Sequence, residues 1–145
     1  MNAVWTEGAG RRAVAQRAWG RCEMCAHNRG VEWAHRVARS HHGPWSPVNG
    51  LLLCTECHGW THAHPQAAKV GGWIVPDWHD PVTRPVWLRR VDGTGWWQLR
   101  TRDGFHETRC LDERVIARLG LPAVPPLPPW IKVEGMWPAA SNRTS

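Results

Sequence analysis

Two C-x2-C pairs constrain this chain more than any other feature. "CEMC" sets Cys22 and Cys25 two residues apart, and "CTEC" does the same for Cys54 and Cys57, leaving Cys110 over. The opening "MNAVWTEGAGRR" has no apolar stretch of the length a secretion signal needs. Disulfides are therefore not expected, and paired knuckles point to zinc. Four thiolates close a tetrahedral shell with no position for water, which is the arrangement of a structural ion. Such an ion can contribute roughly 10–16 kcal/mol, as much as the whole stability of a small domain. It would clamp the start of the chain to the end of the greasy run "LLLC".

The 145 residues allow one modest core. No run approaches the ~20 apolar residues of a membrane span, so no membrane partner and a cytoplasmic setting are expected. The formal charge of +6 is carried by 16 arginines against 2 lysines. A small basic domain suits phosphate-bearing partners, and arginine adds bidentate recognition of phosphate. A GC-rich coding sequence would produce the same bias, and the absence of tyrosine beside 12 tryptophans fits that alternative.

Local patterns imply an α+β chain. A helix is expected over about 10–19, stopped by Gly20. "VEWAHRVA", 31–38, has a strand's composition. "RSHHGPWSPVNG" is a loop, "LLLC" a short buried strand, and "TECHGWTHA" a helix with Thr55 as N-cap. "PQAAKV" makes a second short helix ending at Gly71 and Gly72. Beyond it, "PVWLRRV" and "WWQLRTR" flank "DGTG", a hairpin signal, with a further turn at "RDG". "LDERVIARLG" reads as a helix and "LPAVPPLPPW" as extended polyproline. Three segments follow: 1–70 as a core with its N-terminal helix, 71–120 as a hairpin and short helix packed on it, and 121–145 as a proline-rich tail. The strand tryptophans Trp33, Trp73, Trp87, Trp96 and Trp97 are read as core or half-buried packing.

A second site lies among the histidines. His58 and His62 are four apart on the expected helix and share a face. Two imidazoles can grip one divalent ion and leave its shell open to water and substrate. His35 precedes them on a strand, and its ordinary pKa near ~6.5 suits a general base.

From about Arg21 to Pro65 these residues resemble the HNH endonucleases. The resemblance rests on "CEMC", "AHR", a loop, the Asn before "LLLC", and "CTECH" followed by a second His. It implies a ββα-metal HNH core with a structural zinc knuckle, an N-terminal helix and a C-terminal β-hairpin extension. His35 would be the general base. Asn49 would bond loop backbone and hold His35 in register. His58 and His62 would hold a catalytic Mg²⁺ or Mn²⁺, with Ni²⁺, Co²⁺ or Zn²⁺ able to substitute. Arg36, beside the base, would contact a phosphate. Arg39 in the loop and Arg11, Arg12 and Arg17 on the first helix would add phosphate contacts. Arg84, Arg89, Arg90, Arg100 and Arg102 on the hairpin could extend the footprint.

The implied activity is hydrolysis of DNA phosphodiester bonds, by nicking or double-strand cleavage, leaving 5′-phosphate and 3′-hydroxyl ends. Looser likeness of the segment after His64 to small HNH proteins of actinobacteria and their phages implies a bacterial or host cytoplasm. For a phage protein it implies work beside terminase subunits. One departure stands out. Family members often carry a metal-binding Asp or His just before the base, and here that position is Ala34. Glu32, on the same strand face, is one replacement. His41 or His42 is another, and two histidines with waters and the phosphate are a third. A zinc-stabilised DNA-binding module with weak or no catalysis is the alternative reading. Monomer and dimer are both compatible with the sequence.

Overall fold

The computed structural model describes residues 4–100 and 109–137. Arg102, the "RDG" turn, His106 and residues 138–145 lie outside the described residues. The architecture is α+β with two small antiparallel sheets. Helix α1 spans Glu7–Ala18, capped by the Thr6 hydroxyl, which accepts from the Ala9 N–H. Strands β1 (Glu32–His35) and β2 (Gly50–Leu53) pair antiparallel, with Trp33 opposite Leu52 and His35 opposite Gly50. Helices α2 (Thr55–Ala63) and α3 (Pro65–Gly71) follow. The second sheet has the order β3 (Val86–Arg89), β4 (Gly95–Leu99), β5 (Arg109–Cys110). Helix α4 covers Glu113–Arg118. No helix among the described residues is long and apolar enough to cross a membrane.

Boundaries differ from the sequence reading for identifiable reasons. β1 stops at His35 because the Arg36 N–H turns to the Asn49 carbonyl and the Val37 N–H is taken by the Asn49 side chain. The N-cap of α2 is Cys54 rather than Thr55, since the Cys54 sulfur accepts the Cys57 N–H. A knuckle cysteine thus also starts the helix. β5 had no sequence signal. It is two residues long and forms only by pairing with Gln98 and Leu99.

Strand alternation divides the first sheet between two helices. Trp33 faces α1, packing with Val14 and Leu52 and donating its indole N–H to the Gly10 carbonyl. Ala34, Leu51 and Leu53 face the larger core. In both hairpins a tryptophan lies diagonally over a glycine of the partner strand, Trp33 over Gly50 and Trp87 over Gly95, where any Cβ would collide with the ring. The main apolar cluster runs from Cys22 through Trp73, Trp87 and Trp97 to Ile116 and Ile131. All three segments of the chain therefore share one core. The proline-rich stretch is part of it, with Pro128 and Ile131 buried. Of the five tryptophans expected in strands, Trp33, Trp73, Trp87 and Trp97 are buried and Trp96 is half-buried, and Trp73 lies in the bend after α3 rather than in a strand.

Buried arginines cross-link these parts. Glu23 receives two bonds from Arg17, at 2.9 and 2.8 Å, one from Arg100 at 2.7 Å and the Leu52 N–H at 2.9 Å. Burial would raise the Glu23 carboxyl, but Arg100 and Arg17 overcome it and hold it at about 2. Arg36, also fully buried, reaches the carbonyls of Gly72, Val48, Pro81 and Arg84. It ties β1 to the end of α3 and to the turn before β3.

The Glu23 carboxyl has a folded pKa below its ordinary 4.5, so its stabilisation is present above that value and is lost as pH falls toward about 2. Glu23→Gln leaves two buried guanidinium groups without their carboxylate and should cost about 3–5 kcal/mol. Urea unfolding between pH 7 and pH 3 checks this. The native protein should lose stability toward pH 3 with a slope that the variant lacks at this site.

Candidate metal centre

The sulfur atoms of Cys22, Cys25, Cys54 and Cys57 lie within 4.8 Å of one another, all buried. Zn–S bonds of about 2.3 Å place tetrahedral sulfurs about 3.8 Å apart, so a small contraction closes the shell. Protonation fits the same reading. Hydrogen bonding to Cys25 pushes the Cys22 thiol up to about 12. Cys57 rises likewise through bonds to Cys22 and Cys25, while Cys25, accepting from both, falls well below the usual thiol range. Four thiolates this close need a cation in place of the shared protons. The cluster could hold an ion such as zinc, as the spacing predicts.

Several N–H groups already point at these sulfurs, among them backbone N–H groups of His27 and Asn28 toward Cys25. The Cys57 N–H and the Asn28 amide donate to Cys54 at 3.4 and 3.5 Å, and the Trp130 indole donates to Cys57 at 3.4 Å. Such donors offset thiolate charge and fix ligand orientation. Trp130 comes from the proline-rich stretch, 73 residues away in sequence, and nothing local in the sequence signals this contact.

The histidines form a separate group on α2. The Nε2 atoms of His58 and His62 are 3.1 Å apart, as the i, i+4 spacing predicts. His58 Nδ1 lies 2.8 Å from Glu32 Oε1. That bond, with a second to Thr55, draws the Glu32 carboxyl below its usual range. If Nδ1 carries the proton donated to Glu32, the Nε2 lone pair of His58 is turned toward His62. Glu32 thus stands as the orienting partner of His58. The four-cysteine cluster is the one group of three or more closely converging His, Cys, Asp or Glu ligands among the described residues. The two imidazoles form a partial site. His41 Nδ1 lies 3.3 Å from Asp77 Oδ2, and neither His41 nor His42 joins a converging group of three or more ligands among the described residues.

Asn49 is fully buried and bonds backbone alone. Its Oδ1 accepts the Val37 N–H at 2.8 Å, and its Nδ2 donates to the Val37 and Pro44 carbonyls at 3.1 Å. This pins both ends of the loop that leaves His35. The His35 ring lies edge-on to Trp33 and Trp45, with centroids 4.6 and 4.4 Å away. Its Nε2 is enclosed without a hydrogen-bond partner. Burial, then the charges of Arg39 and Arg11, lower its pKa, with Glu7 opposing. The ring is therefore neutral at physiological pH.

Strand alternation puts Glu32 and Ala34 on the α2 side of β1 and Trp33 and His35 on the other. His35 makes its ring contacts with tryptophans and none with the α2 pair, although His58 is among the charges that lower it.

The arginines divide sharply. Arg11 and Arg39 sit over the Trp45 ring at 5.0 and 5.8 Å, beside His35, and Arg12 is exposed on α1. Arg36 and Arg17 correct the expectation of phosphate contacts. Arg36 donates to four carbonyls from full burial, and Arg17 is committed to Glu23 and to the Pro47 and Gly50 carbonyls. Arg89 and Arg100 are also buried, the former bonded to the Lys132 and Cys25 carbonyls. A sequence cannot separate these roles, because each guanidinium is satisfied by chain far along it. Trp45, which organises the exposed pair around His35, was also missed; its only signal is a tryptophan set between the loop histidines and Asn49. Comparisons with protein-family models, curated proteins and solved structures find no match to this chain.

Trp130→Phe keeps the ring and deletes the N–H. With cobalt in the cysteine cluster, the thiolate-to-metal charge-transfer band should shift, and the ion should be held about 10–100-fold less tightly against a chelator. An unchanged band and unchanged retention would show that the indole contact does not act on the metal.

Proposed function

We propose that the chain is a metal-dependent endonuclease of the HNH type acting on DNA. The observation that carries this reading is the His58–His62 pair, with Nε2 atoms 3.1 Å apart and His58 Nδ1 on Glu32. Support also comes from Asn49, whose amide is wholly spent on the loop after His35. His58 and His62 would hold a divalent ion such as Mg²⁺ or Mn²⁺, whose charge would supply stabilisation to the phosphate and to the departing 3′ oxygen.

The residues of the chain divide the remaining work. His35 is neutral and takes the proton of the attacking water. Its enclosed Nε2 leaves Nδ1 as the nitrogen for that transfer. The water oxygen bonds to phosphorus, the P–O3′ bond breaks, and the departing 3′ oxygen takes a proton from solvent, leaving 5′-phosphate and 3′-hydroxyl ends. Asn49 fixes the backbone on which the base sits, and Glu32 fixes the tautomer of His58. Arg11 and Arg39 hold the strand beside Trp45, giving binding that weakens as salt rises. Cys22, Cys25, Cys54 and Cys57 would hold a structural ion that takes no part in the reaction and keeps β1 and β2 beside α2. A role beside a phage terminase belongs to the same proposal and rests on the sequence resemblance alone.

A second reading, a zinc-stabilised DNA-binding module without catalysis, is favoured by two observations. Ala34 offers no ligand, and the His35 ring packs on the tryptophan side of β1.

Supercoiled plasmid with Mn²⁺ separates the two. The native protein should nick it, and His35→Ala should lower the rate by about 10²–10⁴-fold. Because the working base is the neutral ring and its pKa is lowered, the rate should fall only on acidification below the ordinary histidine range. A native protein that retards DNA on a gel but never nicks it establishes the binding module.

A further inference from the structure

Behind the cysteine knuckle, away from the histidines, lies a cavity of about 670 Å³ between the C-terminal end of α1 and the β3–β4 hairpin. Five arginines line it, Arg17, Arg21, Arg89, Arg90 and Arg100, against the two carboxylates Glu23 and Asp92. Its apolar walls include Trp19, Trp96 and Leu88. Positive charge in a cleft with low-dielectric walls concentrates the field and draws anions.

The arginines are not equivalent. Arg17 and Arg100 are held by Glu23, and Arg89 by main-chain carbonyls. Arg21 is exposed, and no ion pair holds it among the described residues. Arg90 pairs with Asp92 through its Nε at 3.6 Å, its guanidinium lies 4.2 Å from the Trp137 ring, and its side chain is 37% exposed. Arg21 is therefore the exposed lining guanidinium with no carboxylate of its own among the described residues, and Arg90, partly exposed beside it, adds a second cation for a ligand oxygen. Trp19 is the matching apolar anomaly. It is 90% exposed at the rim, on a left-handed backbone with φ 55° that a glycine would adopt at lower cost. Exposed aromatic faces of this kind stack bases regardless of sequence. The volume lies within the range of small-molecule sites.

We propose that this cavity binds a nucleoside phosphate, the base against Trp19 and Trp96 and the phosphate on Arg21 and Arg90. The same chemistry is offered by a free mononucleotide and by one unit of a single strand. Nothing in this assignment requires the chain to cleave DNA.

Calorimetric titration of full-length His35→Ala protein tests it, since that variant removes cleavage from the readout. The ligands are dAMP, a deoxyadenosine octamer and inorganic phosphate. The expected result is saturable binding of dAMP or the octamer, weakened at least 5-fold by Trp19→Ala and by Arg21→Ala but not by Arg114→Ala, an exposed change on α4. Both substituted cavity residues are exposed, and a melting curve checks that the fold is kept. Binding of dAMP identifies a free nucleotide as sufficient; binding of the octamer alone identifies a strand. No saturable binding, equal affinity for inorganic phosphate, or binding indifferent to both cavity variants overturns the proposal. Plasmid nicking by the native protein reads the nuclease assignment separately.

Discussion

Cys22 and Cys25 stand before the first β-hairpin and Cys54 and Cys57 after it, so bringing their sulfurs within 4.8 Å closes the hairpin into a loop clamped at its base. Much else is positioned by that closure. Cys54 caps α2 and so sets the rotation of the helix, which decides where His58 and His62 point. β1 is held against β2, which places Glu32 within reach of His58. Trp130 brings the proline-rich stretch back onto the same sulfurs. A chain of this size buries limited apolar area, and an ion at the cluster would supply stability that the core alone lacks.

The second organising device is the buried guanidinium. Arginine offers five N–H donors in a planar fork, so one side chain can satisfy several carbonyls from segments that have no other reason to meet. Arg36 does this for four carbonyls, and Arg17 and Arg100 do it around Glu23. Part of the arginine excess is therefore internal structure, and the charge left for partners is smaller than the composition suggests. What remains outside is grouped. Arg11 and Arg39 meet at Trp45 beside His35, and Arg21 and Arg90 meet at the cavity beside the knuckle.

The histidine site shows how a strand's alternation governs chemistry. Position 34 faces α2 and could have supplied a ligand, but alanine has no donor atom. Glu32, two residues earlier on the same face, bonds His58 Nδ1 and so acts on the ring's orientation. His35, on the opposite face, is held neutral by enclosure among tryptophans and by neighbouring cations. The same packing that tunes the ring also limits its approach to the α2 pair. The proposed catalysis would have to bridge the end of β1, where Asn49 pins the departing loop.

By itself the sequence determined the features that depend on short spacing. The C-x2-C pairs, the i, i+4 histidines, the helices about α1 and α2 and the Asp-Gly hairpin follow from neighbours in the chain, where geometry is fixed by local repeat, while the backbone-bonding role of Asn49 was implied by the resemblance alone. Tertiary structure decided the rest. It turned Arg36 and Arg17 inward, made Cys54 a cap, added β5, set Trp130 on a sulfur and chose the face of β1 on which His35 lies. Each of these depends on groups that meet only after folding, the partners of Arg36 alone lying 12 to 48 residues away. Burial and hydrogen-bond satisfaction over such separations leave no periodic mark in a sequence.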